Sequence, residues 1–343
     1  MTHINKDFLK DKKHIHFIGI GGSGMFPLVQ ILHGMGYYIT GSDNNPGDTI
    51  DFERQQMHIP VTIGQSEKNI EGADLIVHTA AIMDDNPELM AARASGVPTI
   101  ERAELLGLVT SWFSNCVGVC GTHGKTTTTA MLTQMFIECG MDPSAVIGGK
   151  LEAIGGSGRL GSSEVMVCEA CEFEDHFLKF HPDIAVVLNV DADHMEYFKT
   201  MDHVLDSYHR FAAMATKAVI YNGDDANSCR AVQGIEGVKL LSFGMGEDND
   251  YHACNIRHVD GRHTLYDLYY KAGLTLDQMR VASPFLDQAK ESLELYRRIE
   301  PETWIKLLGR VQGANFGAIY AKTKAMGYKN ITLPEGMTWK EYT

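Results

Sequence analysis

The chain lacks an excess of positive charge: 30 Lys+Arg stand against 44 Asp+Glu, for a formal net charge of −14 at pH 7. A surface of that sign repels phosphate backbones, so binding of nucleic acid by counterion release is excluded as a main activity. A small phosphorylated ligand is not excluded, because a local nest of backbone N–H groups can hold one. Long apolar runs are also missing, and none reaches the roughly 18 uncharged residues of a membrane-spanning helix. Met1 to His14 is polar and charged, without the apolar stretch of a secretory signal. Cysteine offers no disulfide framework: the 7 residues are odd in number and scattered, which points to a reducing compartment. These absences describe a soluble, cytoplasmic protein with no nucleic-acid or membrane partner. No internal repeat or low-complexity segment is present.

What the sequence does have is glycine, 34 residues in a chain of 343, a length that suggests two or three domains at about 150 residues each. His14–Ile20 alternates and is β-branched, then meets Gly21-Gly22-Ser23-Gly24, and Met25–Leu32 follows with helical spacing. Tyr37–Thr40 reads as a second strand that stops at Gly41-Ser42-Asp43, and Leu75–Thr79 as another. Asn86–Ala94 reads as a helix closed by Gly96, with Pro98 as a stop. A second cycle begins near Cys116 with strand Val117–Cys120, turn Gly121–Lys125 and helix Thr126–Cys139. Gly148–Gly161 reads as a loop. Val165–Cys168, Ile184–Asn189 and Ala218–Tyr221 read as short buried strands, with helix Asp202–Ala215 between the last two. The expected fold class is α/β: two successive parallel-sheet units, Rossmann-like and P-loop, followed by a small, mainly helical segment. The expected domains are 1–112, 113–270 and 271–343, the last carrying helices that begin near Ser283-Pro284, with Tyr296 and Trp304 as core.

Two loops carry phosphate chemistry. Gly19-x-Gly21-x-x-Gly24 follows a strand and opens a helix, so its backbone N–H groups can meet a diphosphate at a helix N-terminus. Gly22 and Ser23 lie within it, and Asp43, ending the next strand, is placed to accept from a ribose hydroxyl. That pattern alone leaves NAD and a UDP-sugar both open. Gly121-Thr122-His123-Gly124-Lys125-Thr126-Thr127 is the sharper signal, again between strand and helix. Lys125 is placed for the β- and γ-phosphates of ATP and the Thr126 hydroxyl for Mg²⁺. Four consecutive threonines, Thr126 to Thr129, are poor helix formers and need a local reason. Acidic groups follow at strand ends, Glu169 in one place and Asp191, Asp193 and His194 in another. Mg²⁺ favours a few carboxylates plus phosphate oxygens. Imidazole is an unusual magnesium ligand, so His194 reads as either a metal or a phosphate contact. Cys168 and Cys171 form a single C-x-x-C, too little for a zinc site or a thioredoxin site.

Together these residues resemble the Mur ligase family. The segments that carry the resemblance are His16–Met25, Gly41–Asp43, Thr79–Ile82, Asp85–Glu88 and Gly121–Thr129, then Ile147–Gly149, Glu169-Ala170, His181–Ala185 and Asn189–His194. They run in family order over about 14–255. The resemblance implies that the first loop holds a UDP-sugar rather than NAD. It implies ATP-dependent amide formation in peptidoglycan precursor synthesis, with L-alanine joined to UDP-N-acetylmuramate through an acyl phosphate. Lys125, Glu169 and His194 take the catalytic positions on this reading, and Thr126, Glu169 and His194 the magnesium positions. Cys171 departs from the family, which often has an acid there. Residues 271–343 match neither the family's third α/β domain nor its Asn/Ala-rich approach to it. The alternative expectation is therefore a family member that binds UDP-N-acetylmuramate and ATP without ligating them.

Overall fold

The computed structural model describes residues 7–259 and 263–270. The first sheet is built from β1 (His14–Ile18), β2 (Tyr38–Asp43), β3 (Val61–Ile63), β4 (Leu75–His78) and β5 (Thr99–Glu101), in the order β3-β2-β1-β4-β5. Every pairing is parallel. The helices between are α1 (Phe26–Gly34), α2 (Asp48–Gln55) and α3 (Pro87–Ser95), and α4 (Arg102–Thr110) leaves β5. The α3 caps follow the sequence signals. Asn86 accepts from the N–H groups of Glu88 at 2.9 Å and Leu89 at 3.0 Å, and Gly96 closes the helix at φ 75°.

The second sheet has nine strands: β6 (Asn115–Cys120), β7 (Ser144–Leu151), β8 (Gly156–Arg159), β9 (Val165–Glu169), β10 (Ile184–Val187), β11 (Ala218–Asn222), β12 (Lys239–Gly244), β13 (Tyr251–Val259) and β14 (His263–Tyr270). Their order is β14-β13-β12-β11-β10-β6-β9-β7-β8, parallel except for the hairpins β7–β8 and β13–β14. Helices α5 (Lys125–Glu138), α6 (Met195–Phe198), α7 (Met201–Ala213) and α8 (Ala226–Val232) connect them. Val117, Val119, Val167, Ile184 and Val186 form one apolar layer on this sheet. The other face joins a larger core that runs from Ile15, Leu28 and Val109 to Phe177, Tyr208 and Phe211. With Ile18, Ile76, Leu89 and Ala92 forming a separate layer on the first sheet, the central parallel strands of both sheets are covered on both faces, as parallel sheets require.

The order in which strands are added reverses beside β1 in the first sheet and beside β6 in the second. In open parallel sheets ligands sit outside the carboxyl ends of the strands at such switch points. Both glycine loops leave from those two strands.

The glycine-rich stretch expected as a loop over Gly148–Gly161 instead supplies most of the hairpin β7–β8, which packs on α1. Glycine serves close approach there: a Cβ on Gly158 would lie 2.5 Å from the Pro27 carbonyl oxygen. The Gly158 N–H donates to Gln30 Oε1 at 2.9 Å. Strand β2 likewise runs on through Gly41 to Asp43, beyond the expected stop at Thr40. Helix α2, helix α4 and the strands β12 to β14 carry no expectation from the sequence. The helices expected over 283–343 lie outside the described residues.

Candidate active site

The first glycine loop turns directly off β1. Gly19 has φ +81°, a left-handed conformation that side chains disfavour, and its α-carbon lies against Thr79. The Gly21 N–H donates to Asp43 Oδ2 at 3.0 Å, and the Asn45 N–H donates to Asp43 Oδ1 at 3.1 Å. Asp43 thus holds the loop in shape, in addition to any ribose it meets. Gly22 donates to the Gly19 carbonyl at 3.2 Å. The N–H groups of Ser23 and Gly24 have no partner among the described residues. They are the donors an anion would use at the N-terminus of α1.

The second loop follows β6. Gly124 adopts φ +87°, which turns the chain from the strand into α5. Asn189, after β10, fastens the loop: its Oδ1 accepts from the His123 N–H at 2.8 Å and its Nδ2 donates to the His123 carbonyl at 2.9 Å. The Thr122 N–H donates to the Asn189 carbonyl at 3.0 Å. Beyond that anchorage, the N–H groups of Gly124, Lys125, Thr126 and Thr127 are unpartnered among the described residues. The threonine run divides its work. Thr126 and Thr127 are exposed at the loop, whereas buried Thr129 returns its hydroxyl to the Lys125 carbonyl at 2.8 Å.

Lys125 Nζ donates to the Gly121 carbonyl at 2.6 Å, the Thr122 carbonyl at 3.1 Å and Glu172 Oε1 at 2.8 Å. Glu172 is buried, and its other oxygen, Oε2, has no hydrogen-bond partner among the described residues. Glu169, the last residue of β9, accepts from the Thr126 hydroxyl at 3.1 Å and from the Gly148 N–H at 2.7 Å. Asp191 and Asp193 cap their own turn, accepting from the N–H groups of Ala192 at 2.7 Å and His194 at 2.8 Å. His194 sits at φ 51° with its ring 5.0 Å from that of Phe173. One ligand atom from each of Glu172, Asp193 and His194 falls within 4.8 Å of the others. Of the three expected magnesium positions, Thr126 and Glu169 touch, and His194 is grouped with Glu172 and Asp193. The sequence reading gave Glu172 no role. Its position three residues after Glu169, behind the same strand, was the available signal.

A cleft of about 400 Å³ lies between the two sheets. Ser23 and Gly24 line it from the first, Gly148, Glu169 and His176 from the second, and Arg102 at the start of α4 from between them. Glu101 accepts from His176 Nε2 at 3.2 Å and from Lys179 Nζ at 3.3 Å. The His176 hydrogen bond, with help from Lys179, holds the Glu101 carboxyl at about 2 despite partial burial. Cys168 and Cys171 are free thiols, and burial pushes both upward, the reverse of a reactive thiolate.

The first loop's unpartnered amides face the cleft, and Glu169, also in its lining, accepts from Thr126 of the second loop, which carries its own unpartnered amides and Lys125. Sequence comparison meets this geometry. Residues 14–113 match the Mur ligase family, catalytic domain, and residues 119–285 match the Mur ligase middle domain. The chain belongs to the Mur ligase family over residues 14–285. Residues 273–343 match a domain of unknown function, DUF3440. A UDP-N-acetylmuramate–L-alanine ligase of Caldanaerobacter subterraneus is 41% identical over 265 residues, covering 77% of this chain and 57% of that protein. The ligase of the same name from Acetivibrio thermocellus is 42% identical over 239 residues, covering 69% and 50%. The chain thus spans little more than half the length of these two Mur ligases. Among solved structures, a UDP-N-acetylmuramate:L-alanyl-gamma-D-glutamyl-meso-diaminopimelate ligase from Neisseria superposes with a TM-score of 0.68 at 25% identity, over 76% of this chain and 84% of that one. A UDP-N-acetylmuramate-alanine ligase from Thermotoga maritima shares the fold, with a TM-score of 0.63 at 24% identity, over 82% and 65%.

Proposed function

We propose that this Mur ligase chain binds UDP-N-acetylmuramate at Gly19–Gly24 and ATP at Gly121–Thr127, and joins L-alanine to the muramate carboxylate. The observation that carries the reading is the cleft that Ser23 and Gly24 of the first loop line together with Glu169, which accepts from the Thr126 hydroxyl of the second loop at 3.1 Å. In this reaction the carboxylate takes the γ-phosphoryl group of ATP, giving an acyl phosphate and ADP. The alanine amine then attacks the acyl carbon, phosphate leaves, and the amine loses its extra proton to solvent. The segment 1–112 serves as the sugar-nucleotide unit and 113–270 as the ATP unit.

The chain contributes position and charge rather than a nucleophile. The amides of Gly124 to Thr127 and the N-terminus of α5 cradle the phosphates. Lys125 leaves Glu172 to meet the phosphoryl oxygens, and this exchange returns a buried carboxylate oxygen pair to the site. Magnesium fits the residues present: the Thr126 hydroxyl and Glu169 carboxylate are already in contact, and Glu172 Oε2 is a buried acceptor with no donor among the described residues. Thr126 and Glu169 would hold one ion, and Glu172, Asp193 and His194 a second. Bound there, Mg²⁺ neutralises phosphate charge that would otherwise repel the incoming carboxylate.

The test is a coupled assay on the purified chain with Mg–ATP and UDP-N-acetylmuramate, with and without L-alanine. Phosphate release that requires the sugar nucleotide, and a product larger by one alanine residue, support the reading. Hydrolysis of ATP indifferent to UDP-N-acetylmuramate contradicts it.

A further inference from the structure

Arg102 is the cation of the cleft that the proposed reaction leaves unused. It opens α4, is half-buried, and makes no hydrogen bond or ion pair among the described residues. His176, which lines the same cleft, is engaged with Glu101 at 3.2 Å, and Lys125 and Lys179 are engaged with Glu172 at 2.8 Å and Glu101 at 3.3 Å. A guanidinium withdrawn from water without a partner is costly, so a site that keeps one there has an anion to offer it.

Its surroundings say which anion. The guanidinium lies over the end of the first glycine loop, where a Cβ on Gly24 would stand 3.4 Å from its Cζ, Nε and Nη1. Beside it are the two unpartnered N–H groups of the loop, Ser23 and Gly24. It lines the cleft together with Glu169 and Cys171 at the end of β9. Two backbone donors and a planar fork of N–H groups therefore converge at the mouth of the loop, a donor set suited to the several oxygens of a diphosphate.

We propose that Arg102 clamps the diphosphate of the bound uridine nucleotide. The proposal rests on the sugar-nucleotide reading of the first loop and adds to it a side chain outside the glycine pattern. Because Arg102 stands between the sheets, gripping the diphosphate there also aims the sugar toward Lys125, Thr126 and Glu169. Arg102 is a binding and positioning residue in this role and takes no part in the chemical step.

The experiment is titration calorimetry of the full chain and its Arg102→Gln and Arg102→Lys variants with three probes: UDP, UDP-N-acetylmuramate and a non-hydrolysable Mg–ATP analogue. Loss of a charged hydrogen-bonding partner predicts that Arg102→Gln weakens UDP and UDP-N-acetylmuramate alike, by about 10- to 100-fold. Arg102→Lys recovers part of the loss, and the ATP analogue binds all three proteins equally. Unchanged UDP binding by Arg102→Gln, with the wild type binding normally, overturns the clamp alone. A loss confined to UDP-N-acetylmuramate overturns it too, since the anion is then the muramate carboxylate. Parallel loss of the ATP analogue assigns Arg102 to the fold and is equally fatal. A wild-type chain that binds neither uridine ligand overturns the sugar-nucleotide reading and the clamp with it.

Discussion

Glu53 gives the fold a pH dependence that can be worked out in advance. It lies on the inner face of α2 with Ile50, is fully buried, and neither carboxyl oxygen has a hydrogen-bond partner among the described residues. Burial, and then the nearby Asp43 carboxylate, push its carboxyl from 4.5 up to about 8. Between those values the folded chain keeps a proton that the unfolded chain has lost. Unfolding then releases a proton, so stability falls as pH rises from about 4.5 to about 8. At about 1.4 kcal/mol per decade, the loss reaches about 3 kcal/mol by pH 7 and on the order of 5 kcal/mol across the interval. Replacing Glu53 with Met, an unbranched apolar residue of similar length, removes this dependence and no satisfied hydrogen bond. Urea denaturation of wild type and Glu53→Met at pH 5, 6.5 and 8 isolates the effect, because other titrating groups cancel in the difference. The variant should gain on the wild type steadily with pH, by a few kcal/mol between pH 5 and 8. A difference that stays constant over that range would show that Glu53 is ionised at neutral pH, and would refute the reasoning.

Other substitutions probe separate links. Lys125→Ala should lower ATP-dependent turnover about a hundredfold or more while UDP-N-acetylmuramate binding stays nearly intact, since the two loops leave different sheets. Steady-state kinetics and calorimetry on the one variant check both halves. Gly158→Ala should cost about 1–3 kcal/mol, because the added Cβ lies 2.5 Å from the Pro27 carbonyl oxygen and the hairpin must lift off α1. Chemical denaturation measures it, and an unchanged midpoint would mean that hairpin and helix are not packed as described. In a thermal-shift comparison at equal concentrations, UDP-N-acetylmuramate should stabilise the chain and NADH should not. The reverse result would make the first loop a dinucleotide site.

The two glycine loops and the elements that flank them were legible because local rules fix them. A β-branched run, a glycine turn and a helical period placed β1 with α1 and β6 with α5 within a few residues. Asn86 and Gly96 bounded α3 for the same reason, through backbone donors and a left-handed residue that only particular side chains satisfy. What stayed hidden depends on contacts between distant segments. The β7–β8 hairpin reads as a loop because its glycines serve approach to Pro27 and Gln30, 128 residues away in the case of Gln30 and Gly158. Arg102 looks like an ordinary polar helix start until the fold brings Gly24 beneath it. Glu172 acquires meaning only when Lys125, 47 residues earlier, closes on it. Proximity of Thr126 to Glu169 followed from the strand-end rule for parallel sheets. The grouping of His194 with Glu172 and Asp193 did not, because it is set by a tight turn after β10.

In the proposed function the two glycine loops serve one reaction. Trapping the acyl phosphate tests it most directly: the chain is incubated with Mg–ATP, UDP-N-acetylmuramate and hydroxylamine, with L-alanine left out. The account predicts a muramoyl hydroxamate formed in step with ADP, dependent on both nucleotides and absent from Lys125→Ala. ADP produced without hydroxamate, or at the same rate without UDP-N-acetylmuramate, would contradict it.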